Sequence, residues 1–148
     1  MITYEKGVFS LQGDAFTCLM RVNPWGLLEQ LYFGPTVEIN DWQAFACVPG
    51  IGWGASVLLE AGNTASCQDA MPLAWSGSGR GDFRESPLEM NGGPTDFCYV
   101  NHGVHQQQPV LSSALPQAHG ECETLELILE QPGARLKLYY TPYETALV

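Results

Sequence analysis

One stretch concentrates the side chains of this protein that could do chemistry. Residues 60–87, "EAGNTASCQDAMPLAWSGSGRGDFRESP", hold Asp69, Asp82, Glu85, Arg80, Arg84 and Trp75. Two of the six basic residues of the chain fall between positions 80 and 84. An aromatic ring covers the apolar C–H face of a sugar, while carboxylate and guanidinium groups hydrogen-bond vicinal hydroxyls. The same residues support a plainer reading, in which Asp82 and Arg84 pin a long loop to a strand. Two carboxylates also suggest a glycosidase acid–base pair. In a chain with sixteen Asp and Glu, however, such pairs are common by chance. Arg80-Gly81-Asp82 spells an adhesion tripeptide, which would need an extracellular setting and an exposed loop.

The other reactive types are sparser. His102 and His105 in "NHGVH" are three apart, so on a strand they point to opposite faces and suit joint metal binding poorly. His119 follows a Pro-containing loop. The plain reading is polar histidines with satisfied hydrogen bonds, and no metal or cofactor is expected. An acid–base pair of His102 or His105 with a carboxylate, as in sugar mutarotation, needs only two groups and stays open. "GWGAS" and "WSGSG" lack the strand–Ser–helix setting of a nucleophile, and "GSGRG" lacks the ending of a phosphate loop. Cysteines 18, 47, 67, 98 and 122 form no CxxC pair and are odd in number, which suggests neither a disulfide framework nor a zinc site. They read as small buried hydrophobes, with Cys67 the exposed one. Trp25 is expected to pack at a hairpin end, whereas Trp42, Trp53 and Trp75 lie in loops as a sugar platform or a protein contact.

The elements that must position these groups are strands. In "ETLELILEQPGARLKLYYTPYE", Leu125, Leu127 and Leu129 alternate with Glu126, Ile128 and Glu130. Beyond Pro132-Gly133, Leu136, Leu138 and Tyr140 alternate with Arg135, Lys137 and Tyr139. A period of two across a Pro-Gly turn is a hairpin with one apolar face. Phe16 to Val22 and Leu27 to Phe33 flank the turn Asn23-Pro24-Trp25-Gly26 in the same way. Ile2 to Leu11, Ala55 to Leu59, Leu88 to Asn91 and Phe97 to Val104 complete the predicted strands. With sixteen Gly, ten Pro and no amphipathic helix, the pattern predicts one antiparallel sandwich spanning 1–148. The final "YYTPYETALV" reads as an unfinished strand pattern, which points to a fragment. A net charge of −10 excludes nucleic acid and anionic membranes as partners. The dispersed thiols, and the lack of a signal-like opening or a 20-residue apolar run, predict a soluble cytoplasmic chain.

Several of these words resemble one family in order. "DAMPLAWSGSGRGDFRESPLEM" is similar to the amino-terminal domain of glycoside hydrolase family 36 α-galactosidases. That domain carries an Asp-x-x-Pro-x-x-aromatic segment running into Gly-Asp-Phe-Arg, matched by Asp69, Pro72, Trp75 and Gly81 to Arg84. "DFCYVNHGV", Glu123 to Glu126 and Leu138 to Thr141 resemble its later strands, and "LLEQLYFG" its early hairpin. The departures are Trp75 where Tyr is usual, and "LAWSGSG" and "EAGNTASCQ" in place of the family's sequence.

The resemblance implies an all-β, antiparallel β-supersandwich (galactose-mutarotase-like) with one or two short helical turns, non-catalytic by itself. The catalytic carboxylates belong to a (β/α)8 barrel, which does not fit in 148 residues. Implied partners are that barrel, neighbouring subunits of an oligomer, and a terminal galactoside that Asp69 would bind beside Trp75. Asp82 and Arg84 would brace the loop. The rival expectations are a free-standing carbohydrate-binding module and a small mutarotase-like enzyme.

Overall fold

The computed structural model describes residues 1–46, 57–82, 84–112, 114 and 120–148. Its first sheet contains β1 (Ile2–Glu5), β2 (Val8–Gln12), β3 (Phe16–Val22) and β4 (Leu28–Pro35) in chain order. Its second contains β5 (Cys98–His105), β6 (Thr124–Gln131) and β7 (Ala134–Tyr140), also in order. Every pairing is antiparallel. Helical structure among the described residues is confined to the short 3-10 turns Trp42–Phe45, Gln68–Ala70 and Ser78–Arg80. None is long or apolar enough to cross a membrane.

Alternation makes the sandwich. Phe9, Leu11, Phe16, Cys18, Met20 and Leu28 line the inner face of the first sheet and meet Leu125, Leu127 and Leu129 of the second. The three leucines of β6 are almost fully buried. β6 is the central strand of its sheet and gains the most from its apolar face. The same burial pushes the Cys18 thiol up to about 11 and the Tyr140 hydroxyl up to about 12. An aromatic wedge closes one side between the sheets. Tyr4 and Phe9 contact the His102 ring at 4.2 and 5.0 Å between centroids, and the Tyr99 hydroxyl lies 2.8 Å from His102 Nδ1.

Three strand expectations change. Ile2 to Leu11 is a hairpin rather than one strand, because Lys6 and Gly7 adopt φ of 49° and 84°. Two consecutive left-handed residues are what a tight two-residue turn requires. Leu88 to Asn91 forms only the isolated bridge Met90↔Gly93, since Asn91 and Gly92 turn the chain back at once. Of Ala55 to Leu59, residues 57–59 are irregular and the rest lie outside the described residues, as do Cys47, Trp53, Phe83 and His119. Thr141 and Val148 exchange backbone hydrogen bonds, and Glu144 accepts from Asp14 and Ala15.

Candidate functional site

The loop between β4 and β5 is held by specific bonds rather than by regular structure. Its 3-10 turn Gln68–Ala70 presents Asp69. Arg84 clamps that turn from below: Nη1 donates to Met71 O and Nη2 to Gln68 O, both at 2.8 Å. The guanidinium is aligned in turn by Asp82, which accepts from Nε at 2.8 Å and Nη2 at 3.0 Å. Asp82 also accepts from the Arg84 backbone N–H at 3.1 Å. Asp82 is 2 % exposed, so its charge is balanced almost wholly by this one partner.

β4 holds the next segment. Gln30 N–H donates to Pro72 O, Ala74 N–H donates to Leu28 O, and Glu29 bridges Leu73. Glu29 is itself buried, bonded to Arg21 Nε at 2.6 Å and to Asn23 Nδ2 at 2.9 Å. Asn23 Nδ2 also lies 3.5 Å from Met71 Sδ. Sequence reasoning passed over Glu29 and Asn23. The available signal was a carboxylate within the apolar run "LLEQL", which needs a buried partner.

Against this rigid support, three enclosed polar atoms of the loop have no hydrogen-bond partner among the described residues. They are Asp69 Oδ1, Trp75 Nε1 and Gln68 Nε2. Trp75 packs half-buried against the core, and Asp69 is half-buried on its turn. Buried polar atoms are normally paired, so an acceptor and two donors enclosed without partners set this loop apart.

The adhesion tripeptide is dismantled by the fold. Arg80 pairs with Asp96 at 2.6 Å and donates to Cys98 Sγ at 3.0 Å, while Asp82 is buried. Gly81, at φ 87°, makes the turn that separates them, and a Cβ there would lie 2.8 Å from Val57 Cβ. Glu85 is exposed. Cys67 is not the exposed thiol: it is 1 % exposed, because the loop coils over it and Thr64 O accepts its S–H. Trp25 is half-buried in the β3–β4 turn, where its backbone N–H donates to Asn23 Oδ1. Trp42 lies over the Arg21 guanidinium at 5.5 Å.

The histidines do point to opposite faces. His102 enters the aromatic wedge, and burial lowers its pKa from the ordinary histidine value. His105 Nε2 meets Glu126 Oε2 at 2.8 Å on the outer face, where Lys137 Nζ meets Oε1 at 2.8 Å. Hydrogen bonding from Lys137, and then from His105, holds the Glu126 carboxyl below its usual range despite burial. Among the described residues no cluster of three His, Cys, Asp or Glu side chains could hold a metal ion.

An antiparallel β-sandwich with a loop clamped by Arg84 defines a class that comparison with known proteins makes specific. Residues 26–148 match the family described as the glycosyl hydrolase family 36 N-terminal domain, and the chain belongs to that family. Among solved structures, the chain is similar to the galactosidase domain of the α-galactosidase–sucrose kinase AgaSK. There the TM-score is 0.81 at 23 % identity, over 98 % of this chain and 21 % of that one. It is also similar to the family 36 α-galactosidase AgaB from Geobacillus stearothermophilus, with a TM-score of 0.78 at 24 % identity over 97 % and 21 %. A variant of AgaA from the same organism, in complex with raffinose, gives a TM-score of 0.75 at 26 % identity over 93 % and 20 %. The chain thus spans about a fifth of the length of these relatives. No curated protein matches it significantly.

Proposed function

We propose that this domain is a non-catalytic part of an α-galactosidase-like glycoside hydrolase. It packs on a (β/α)8 catalytic domain and on neighbouring subunits, and lends Asp69 to a terminal galactose. The observation that carries this reading is the unpartnered Asp69 Oδ1, on a turn whose carbonyls Arg84 already holds, in a loop whose Trp75 Nε1 is equally unpartnered. An ionised carboxylate accepts hydrogen bonds from two vicinal hydroxyls, and an indole N–H donates to a sugar oxygen. Because the turn is fixed beforehand, little ordering entropy is lost when the sugar arrives.

The role of Asp69 is positioning by hydrogen bonds, with bond cleavage assigned to carboxylates of the barrel. In the enzyme that joins this domain to a barrel, Asp69→Asn keeps the size of the side chain and removes its charge. The expected outcome is a fall in kcat/KM on an α-galactoside of roughly ten- to a hundredfold, the scale of one charge-assisted hydrogen bond. Kinetics equal to the parent's on the same substrate would remove Asp69 from the site.

A further inference from the structure

The outer face of the four-stranded sheet carries a second groove, built from different residues. On β1 to β3 the outward side chains include Thr3, Ser10, Gln12, Val8 and Leu19. Residues 36–42 cross this face as a strap, tied down where Thr36 Oγ1 donates to Asp14 O and Val37 N–H donates to Thr17 Oγ1. Between strap and sheet lies an open groove of about 790 Å³. Its floor is apolar, with Val8 and Leu19 buried beneath it. Its rim is hydroxyl and amide, from Thr3, Ser10, Gln12 and Asn40.

Trp42 lines the groove and is held before any ligand arrives. The Arg21 guanidinium lies 5.5 Å from the ring centroid, and Glu29 fixes that guanidinium at 2.6 Å. The groove is also lined by Glu5, Lys6, Glu38 and Asp41. Glu5 pairs with Lys6 at 3.1 Å, and Asp41 Oδ1 accepts from Gln43 N–H at 2.9 Å. Glu38 and Asp41 leave the groove acidic, so a cationic peptide is the rival occupant, while a chain of net charge −10 repels anions.

We propose that this groove binds a neutral oligosaccharide, independently of the Asp69 turn. A pre-oriented indole lining the same groove as Val8 and Leu19 suits the C–H faces of pyranose rings, and the hydroxyl and amide rim suits their exchangeable groups. The volume is within the usual range for ligand sites and leaves room for more than one sugar ring.

The test is a heteronuclear NMR titration of the full chain with raffinose, stachyose and maltohexaose, each to about 10 mM, where a millimolar site is well populated. Saturable shifts of the Trp42 indole N–H and the Asn40 and Gln12 side-chain amides are expected with at least one sugar. Trp42→Ala should weaken binding at least tenfold, and Trp42→Phe, which keeps a ring over Arg21, should weaken it less. Should Trp42→Ala fail to fold, Asn40→Ala and Gln12→Ala carry the test through loss of binding. Asp69→Asn should leave the shifts at Trp42, Asn40 and Gln12 unchanged, so this proposal and the role of Asp69 stand or fall separately. Three outcomes overturn the groove: no saturable shift at those residues, binding indifferent to the variants of Trp42, Asn40 and Gln12, or a tetralysine peptide shifting them where no sugar does.

Discussion

A carboxylate at 2 % exposure persists only where its charge is met, and Asp82 is met by Arg84 alone among the described residues. Asp82→Ala is expected to cost about 1–3 kcal/mol, because the hydrogen bonds are lost but the Arg84 guanidinium, 39 % exposed, is still reached by water. Urea denaturation of variant and parent measures it; a loss below about 1 kcal/mol would mean that solvent replaces the carboxylate. Arg84→Lys should not restore the parent, because one ammonium cannot hold the Gln68 and Met71 carbonyls and both Asp82 oxygens in a plane. The sequence announces this pair, since two charges bracketing one aromatic in "GDFRE" are close in the chain. It does not announce Cys67. Polar neighbours in "NTASCQD" suggest exposure, and only the coiling of the loop onto itself buries the thiol.

Strands whose side chains alternate strictly are legible in one dimension, because a period of two needs no partner to be recognised. β3, β6 and β7 follow their predicted spans closely. The first strand does not, because Thr3, Tyr4, Glu5 and Lys6 offer no break in composition where the chain reverses. The hairpin depends on Lys6 taking a left-handed conformation before Gly7. The β6 leucines give the clearest test of the core. Leu127 is fully buried, paired across to Leu138 on one side and His102 on the other. Leu127→Ala should cost about 2–5 kcal/mol by lost burial and residual cavity, read from the shift in the denaturation midpoint. Exposed Leu111→Ala serves as the control and should change stability by less than about 0.5 kcal/mol.

For the molecule as a whole, the two sheets are joined on one side by Tyr4, Phe9, Tyr99 and His102, which makes their union sensitive to pH. Burial lowers the folded pKa of His102, so below its ordinary value of about 6.5 the unfolded chain binds more protons than the folded one. The His102 contribution is therefore complete above that pH and is lost as pH falls toward the lower folded value. Glu126, also depressed, acts in the same direction further into acid. Unfolding free energy should decline from pH 7 to pH 5, and His102→Asn should flatten that decline. Equal slopes in parent and variant would dissociate His102 from it. The sequence by itself determined the all-β class, the inner faces of the central strands and the ordered motif words around Asp69, because alternation, turn residues and short-range spacing are local properties. Only the tertiary structure decided that Arg84 grips the turn carrying Asp69, that Glu29 supports both that loop and Trp42, and that Arg80 pairs with Asp96 while Asp82 pairs with Arg84. These depend on which distant atoms meet when two sheets close, and no period along the chain encodes that.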